Sequence, residues 1–219
     1  MTRRAIETLH RLNSRLAALG RDARGLAAVE FAMILPLMLV TLFGVIGTTT
    51  VLSIDRKVTM IARTMSDLVS QSDAVSSADI DNFYAVGRAI LYPYSPAQNP
   101  VSGGPLWMRV SELYVNPASG QVRVQWSEVR GTKADGEDDD PLTVGNQVAM
   151  PNDLIGRAAD NTILPNQYFI LSEVDYLYAP AILPGVVSVP LREKTYTRPR
   201  VTSRQFCVLY AGATTCPTN

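Results

Sequence analysis

The feature that most constrains this chain is a stretch of 24 residues, from Phe31 to Ile54, that contains no formal charge. At a rise of ~1.5 Å per residue, a helix of this length spans roughly 36 Å, enough to cross the ~30 Å hydrocarbon core of a bilayer. The segment is apolar on all sides up to Gly47, and only Thr41 interrupts it. A core helix of a soluble domain would carry polar residues on its outer face. We therefore predict a transmembrane helix over residues 26–54.

A glycine and a carboxylate mark the start of this helix. Gly25 precedes Leu26, and Glu30 follows about one helical turn later. A carboxylate at the edge of a membrane segment costs on the order of 2–3 kcal/mol, so Glu30 is either an interfacial residue or one with a specific partner. Glycine carries no Cβ, which suits a protease that approaches the backbone closely. Cleavage after Gly25 would give Leu26 an α-amine, one turn from Glu30 or facing the Glu30 of a neighbouring subunit.

These residues resemble the class III leader peptides that prepilin peptidases cut in type IV pilins and pseudopilins. The pattern is Gly25, then Glu30 and Phe31, then an apolar helix that contains Pro36. The run AVEFAMILPL at residues 28–37 is similar to the TadE-like proteins (TadE, TadF and TadG) of the tight-adherence, or Flp, pilus system. The resemblance implies processing between Gly25 and Leu26, and a role in helix register and assembly for Glu30, Phe31 and Pro36. It also implies three kinds of partner: other pilins or pseudopilins, the Tad secretion machinery and a prepilin peptidase.

The first 25 residues predict a basic cytoplasmic leader. Residues 1–24 contain six arginines and two acidic residues, and their leucines recur at helical spacing. A basic amphipathic helix of this kind suits an anionic cytoplasmic leaflet. By the positive-inside rule, the N-terminus stays in the cytoplasm and the remainder is exported. We therefore expect a single-pass protein of the inner (cytoplasmic) membrane, with a periplasmic or extracellular C-terminal domain.

Beyond the membrane segment, the helical pattern continues before it changes to a strand pattern. Apolar residues recur at spacings of three and four from Val58 to Val69, which predicts that the helix continues to about residue 70. Ser77 is predicted to cap a second helix that stops before Pro93. Residues 71–219 are long enough to form one exported domain.

Alternating sequence predicts the sheet of this domain. The clearest hairpin joins residues 106–115 to residues 121–126, which alternate strictly between polar and apolar. Further strands are predicted at residues 168–178, 186–197 and 201–210. The predicted fold class is therefore α+β, in which a long N-terminal transmembrane helix precedes an exported domain whose antiparallel β-sheet packs on helix, as in pilins.

The C-terminal part carries a second resemblance and both cysteines. The runs EVDYLYAP at residues 173–180 and YTRPR at residues 196–200 are similar to the C-terminal half of TadE- and TadG-like proteins. Cys207 and Cys216 can close a small loop in an oxidising compartment, where the loop-entropy contribution is roughly 2–3 kcal/mol. In the cytosol they would remain two free thiols.

Several function classes are disfavoured by the composition. The single histidine is His10, before the membrane segment, so the main domain has no Ser-His, Cys-His or His-metal constellation. The formal net charge of +0 gives no support for a nucleic-acid partner. The acidic run within residues 131–140 is predicted to be a disordered loop. Its oxygens could bind calcium, but its spacing does not fit an EF-hand.

The prediction is thus a non-enzymatic protein with no metal, cofactor or small-molecule substrate. It would be a minor pseudopilin or assembly factor of the Tad/Flp pilus, acting through subunit contacts in pilus biogenesis and adherence. One alternative is an exported binding domain held by a signal anchor. The other is an exported enzyme that relies on carboxylates, for which Glu173 and Asp175 form a candidate pair.

Overall fold

The structure, a computed structural model, describes residues 25–94, 106–133, 140–178, 188–200, 207–213 and 216. The leader predicted before Gly25 and residues 134–139 of the predicted acidic loop lie outside these ranges. The chain divides into two compact units, residues 1–49 and residues 50–219, which we call the N-terminal and C-terminal units. In chain order, the helices and strands of the described residues are α1 Leu26–Ser70, β1 Ala74–Val75, α2 Ser77–Leu91, β2 Leu106–Val115, β3 Val122–Gly131, a short 3-10 helix Asn152–Leu154, β4 Gln167–Tyr178, β5 Val189–Thr197 and β6 Leu209–Tyr210.

The described part of the N-terminal unit is the first half of α1. It is rich in Leu, Ala and Met, which favour helix. Pro36 lacks a backbone N–H and so removes one hydrogen bond, yet the helix continues on both sides of it. Nearly all side chains of residues 26–49 are exposed.

Within the C-terminal unit, the second half of α1 buries one face. The buried apolar residues follow at spacings of one, three and four, as expected for a helix that packs along one side: Ile54, Val58, Ile61, Ala62, Met65 and Val69. The helix ends at Ser70, whose carbonyl oxygen accepts a hydrogen bond from the Arg200 backbone N–H at 2.7 Å. That bond satisfies one of the carbonyls that a helix end leaves without a partner.

The N-cap of helix α2 lies one residue earlier than predicted. Ser76, not Ser77, is the N-cap, and it forms a capping box with Asp79. Ser77 is already helical, and its hydroxyl accepts a hydrogen bond from Arg130 at 2.6 Å. The prediction of Ser77 was wrong because either serine can cap, and only Ser76 has a residue three positions later that reaches back to its own N–H.

The main sheet has four antiparallel strands in the order β3-β2-β4-β5. One face of this sheet, the inner face, packs on α1 and α2 through side chains that include Met108, Val110 and Val174. Gly87 of α2 permits this close packing, since a Cβ there would lie 2.8 Å from the Met108 sulfur and 3.2 Å from Ile61 Cγ2.

A β-bulge in β3 changes which face its side chains occupy. The register of β2 and β3 shifts between Glu112, which pairs with Trp126, and Leu113, which pairs with Val124. Val124 therefore lies in the outer cluster with Leu113, whereas Trp126 lies in the core beneath the helices. Strict alternation alone would have placed Val124 and Trp126 on the same face, because side chains alternate with a period of two.

The outer face is covered by irregular chain between β3 and β4. Ile155 is buried there against Phe169 and Leu171, and further apolar residues of the same segment pack partly buried: Leu142, Val148, Met150, Leu154 and Ile163. The structure also shows that β3 extends to Gly131, so the predicted acidic loop begins later than expected.

The C-terminal unit also contains a second sheet, which consists of the two short strands β1 and β6. Strands β1 and β6 are parallel, with Ala74 opposite Leu209 and Val75 opposite Tyr210. Of the strand predicted over residues 201–210, Leu209 and Tyr210 are strand, and residues 201–206 lie outside the described ranges. The predicted fold class is confirmed: a long apolar N-terminal helix is followed by a mixed α+β domain with an antiparallel sheet.

Candidate functional site

The residues predicted to be processed lie at the exposed beginning of α1. Leu26 is the first residue of the helix, and Gly25 immediately precedes it. A Cβ added at Gly25 would meet no atom of the described residues within 4 Å, so they leave the backbone open to approach at this point. Leu26 and Phe31 are each 60% exposed. Glu30 is also exposed, and it makes no hydrogen bond or ion pair with another described residue.

After Glu30, α1 presents apolar side chains in every direction. The polar groups in this stretch are satisfied within the helix itself. The hydroxyls of Thr41, Thr48 and Thr49 donate to carbonyl oxygens one turn earlier, at 3.1, 2.8 and 3.0 Å respectively. A helix whose hydroxyls bond to its own backbone offers a hydrocarbon environment few unsatisfied polar atoms.

By length and composition, α1 is the one candidate membrane span among the described residues, and its most apolar window is 0% buried. In water, so much exposed apolar surface would be strongly unfavourable, at ~25 cal/mol per Å². The helix is thus compatible with a single-pass membrane anchor.

The structure joins Cys207 to Cys216 by a disulfide, with 5.7 Å between the Cα atoms. Cys207 is fully buried beside Tyr114 and Tyr168, and Cys216 is partly buried against the same cluster. The two cysteines of the sequence therefore close a short loop at the C-terminal end of the domain.

The carboxylates Glu173 and Asp175 lie side by side on the outer face of β4, and each forms ion pairs with basic side chains. The Glu173 carboxylate binds Arg109 at 2.6 Å and Lys194 at 2.7 Å, and Asp175 binds Arg192 at 2.8 Å. A catalytic pair needs a carboxyl group that can exchange a proton with a substrate. These two instead form an ion-pair network across β2, β4 and β5, and this arrangement gives no support to the carboxylate-dependent enzyme.

No cluster of three or more His, Cys, Asp or Glu side chains that could hold a metal ion occurs among the described residues. Residues 134–139 lie outside the described residues, so calcium binding by the acidic loop stays a prediction.

Comparison with known proteins finds a family match at the beginning of α1. A family model described as TadE-like protein matches residues 25–64. This part of the chain is TadE-like. No curated protein and no solved structure matches the chain. The match is consistent with a TadE- or TadG-like protein and indicates a link to the Tad pilus system.

The TadE-like segment contains Gly25, Leu26, Glu30, Phe31 and Pro36, the residues that the sequence singled out. It stops at residue 64, within α1. The resemblance of residues 173–200 to TadE- and TadG-like proteins lies beyond the match and stays a prediction.

Outside the TadE-like segment, the sequence pattern did not predict a role for Glu112, a fully buried acid on the inner face of β2. Its Oε1 accepts a hydrogen bond from the Val208 N–H at 2.6 Å, and its Oε2 has no hydrogen-bond partner among the described residues. The sequence could have indicated this buried acid, because Glu112 occupies the next position in the alternating apolar series Leu106, Met108 and Val110. A charged residue in that series marks either a break in the strand or a buried polar group.

Proposed function

We propose that this protein is a membrane-anchored minor pseudopilin or assembly factor of the Tad/Flp pilus. Prepilin peptidase would cut after Gly25, and α1 would hold the processed protein in the inner membrane. The leader would be cytoplasmic and the C-terminal unit exported. The protein would act through contacts with pilins, pseudopilins and the Tad secretion machinery, in pilus biogenesis and adherence.

The observation that carries this proposal is the TadE-like start of α1. An exposed glycine, a carboxylate five residues later and an unbroken apolar helix lie together in the matched segment. Glu30 has no partner among the described residues, although a carboxylate beside a hydrocarbon environment calls for one. The α-amine of a processed Leu26, on the same chain or on a neighbour, would meet that need.

The Cys207–Cys216 disulfide supports export of the C-terminal unit. Disulfides persist in oxidising compartments and are rare in the cytosol. An exported binding domain with a permanent signal anchor would share this feature. The two hypotheses make different predictions at Gly25, because only the pseudopilin requires cleavage after this residue.

The proposal is tested by the N-terminal sequence and intact mass of the protein from host membranes, for wild type and Gly25→Arg. The wild type is expected to begin at Leu26 and to lack residues 1–25. The variant is expected to retain them, because an arginine side chain would block close approach to the backbone. Gly20→Arg is the matched control, since it adds the same side chain at the other glycine of the leader and should be processed normally.

A wild-type protein that begins at Met1 or Thr2, or a Gly25→Arg variant that matures normally, would overturn the processed pseudopilin. The anchored binding domain would then take its place. Loss of pili in a strain carrying only Gly25→Arg, with pili retained in the Gly20→Arg strain, would connect processing to assembly.

A further inference from the structure

The C-terminal segment 207–213 lies across the inner face of the sheet and is held there by a small number of identifiable contacts. Cys207 and Val208 are fully buried. The backbone of Val208 is held on both sides: its N–H donates to Glu112 Oε1 at 2.6 Å, and its carbonyl oxygen accepts from Trp126 Nε1 at 3.0 Å. Tyr210 stacks on Trp126, with ring centroids 5.3 Å apart, and its hydroxyl donates to Glu128.

The segment has little regular structure of its own to keep it in place. Its strand β6 consists of two residues. Backbone hydrogen bonds link it to β1 and to the residue before β1: the Leu209 N–H donates to the Asp73 carbonyl at 3.1 Å, and the Ala211 N–H donates to the Val75 carbonyl at 3.2 Å. A strand this short contributes little by itself, so its position depends on side-chain contacts and on the covalent link.

Glu112 is hydrogen-bonded to the same segment. Glu112 is fully buried, and its one hydrogen-bond donor among the described backbone groups is Val208. If the segment moved away, Glu112 would become accessible to water, where a carboxylate is well solvated. Glu112 therefore favours release of the segment unless another interaction opposes it.

We propose that residues 207–213, together with Cys216, form a redox-controlled latch that is docked on the inner face when the Cys207–Cys216 disulfide is formed and undocks when it is reduced. Closing the nine-residue separation restricts the undocked chain and so lowers the entropy lost on docking. In the reduced protein that restriction is absent, while hydration of Glu112 still favours release of the segment. The four-stranded sheet, which makes no covalent use of the cysteines, stays folded in both states.

The chemistry is thiol–disulfide exchange with a dithiol–disulfide exchange protein or a small thiol. On reduction, an external thiolate attacks the Cys216 sulfur, the S–S bond breaks and Cys207 leaves as a thiolate that takes up a proton. A second external thiol then releases Cys216 as a thiol and forms the external disulfide. Oxidation is the reverse: two electrons and two protons pass from the protein thiols to the external disulfide, which becomes two thiols.

Attack is expected at Cys216 because Cys207 is fully buried, whereas Cys216 is partly exposed. A protein made in a reducing compartment would keep the latch open and close it on reaching an oxidising one. This last consequence rests on the export proposed above. The latch itself does not, and the test uses purified full-length protein, so the two ideas fail independently.

The test is hydrogen–deuterium exchange with mass spectrometry on the full chain in detergent, oxidised and after reduction with dithiothreitol. Reduction is expected to speed exchange at least tenfold in peptides covering residues 207–213. Peptides from β4 should change less than twofold. Exchange at residues 207–213 that stays within twofold of the oxidised value would overturn the latch. Equal acceleration in β4 would also overturn it, since the disulfide would then stabilise the whole domain.

Variants separate the disulfide from the acid. Cys207→Ser combined with Cys216→Ser should reproduce the reduced protein and respond no further to reductant, because the chain has no other cysteine. In the reduced protein, Glu112→Gln keeps an acceptor for the Val208 N–H but gains less from water than a carboxylate does, so it should slow exchange at residues 207–213 at least fivefold relative to reduced wild type. Equal exchange in the reduced wild type and the reduced Glu112→Gln variant would remove Glu112 from the latch.

Discussion

At the scale of single residues, Glu112 occupies a position where an apolar side chain would pack at lower cost. It is fully buried, and one of its oxygens has no hydrogen-bond partner among the described residues. Burial raises the pKa of Glu112 to about 8, against the lowering effect of the hydrogen bond from the Val208 N–H. At neutral pH the folded domain therefore holds Glu112 mainly as the neutral acid, which avoids the large cost of a buried unpaired carboxylate.

This pKa predicts that the domain loses stability as the pH rises. Below about 4.5, the ordinary pKa of the group, Glu112 is protonated in both folded and unfolded chains, and its contribution to the free energy of unfolding is greatest. Between that pH and about 8, only the unfolded chain loses the proton, so the free energy of unfolding falls by ~1.4 kcal/mol per pH unit. The neighbouring Tyr168 stays neutral throughout, because burial raises its pKa to about 12.

Glu112→Gln should remove this part of the pH dependence, since its amide does not titrate. The measurement is the melting temperature of wild type and variant in detergent from pH 5 to pH 9. The wild type should lose on the order of 10 °C relative to the variant across this range, at ~2–4 °C per kcal/mol for a domain of this size. Parallel melting curves would show that Glu112 is ionised in the folded domain or exposed to water.

At the scale of the helices, Lys57 connects α1 to the end of α2. Its ammonium group donates to the carbonyl oxygens of Ile90 at 3.0 Å and Tyr92 at 2.6 Å, and lies 5.5 Å from the Tyr94 ring centroid. The last carbonyls of a helix lack partners and carry partial negative charge, so a cation there satisfies both requirements. A residue in the middle of one helix thus caps another helix 33 positions later in the chain.

Lys57→Met should weaken the domain while leaving the packing of the side-chain stem largely in place. Loss of two hydrogen bonds to a charged donor predicts a decrease of about 2 kcal/mol in the free energy of unfolding. Arg56→Met is the matched control, because Arg56 is exposed and lies next to Lys57 on the same helix. Thermal unfolding of both variants provides the measurement, and equal destabilisation would contradict the capping role.

The elements that the sequence predicted well are those determined by local pattern. The one-sided burial of α1 from Val58 to Val69 follows directly from the spacing of its apolar residues. The role of Trp126 could not be predicted in the same way, because a single extra residue in β3 moves its ring to the inner face. Its partner Val208 lies 82 residues away in sequence, and local periodicity carries no information about such a contact.

At the scale of the whole chain, the two units differ in what identifies them. The N-terminal part of α1 was predictable because a helix long and apolar enough to span a bilayer is recognised from composition and length, and the TadE-like match falls on it. The sheet domain has no matching curated protein or solved structure, and its contacts depend on long-range pairings. A test of the proposed assembly role must therefore use the intact chain in its membrane.

The sharpest such test concerns Glu30. If its carboxylate pairs with the α-amine of a processed subunit, Glu30→Gln should be cut normally after Gly25 but should retain fewer pilus subunits. An interaction between charged groups worth ~1.5–3 kcal/mol predicts a loss of roughly tenfold to a hundredfold in association. The measurement is quantitative mass spectrometry of subunits that co-purify with the tagged protein from host membranes.

Asp55→Asn provides the matched control for this prediction. Asp55 is the next carboxylate along α1, it is exposed, and it lies beyond the uncharged stretch, where water can solvate it. The same change of charge should therefore leave association within about twofold of wild type. If Glu30→Gln retained its partners as well as Asp55→Asn does, Glu30 would be an ordinary interfacial residue, and subunit contacts would have to be sought in the C-terminal unit.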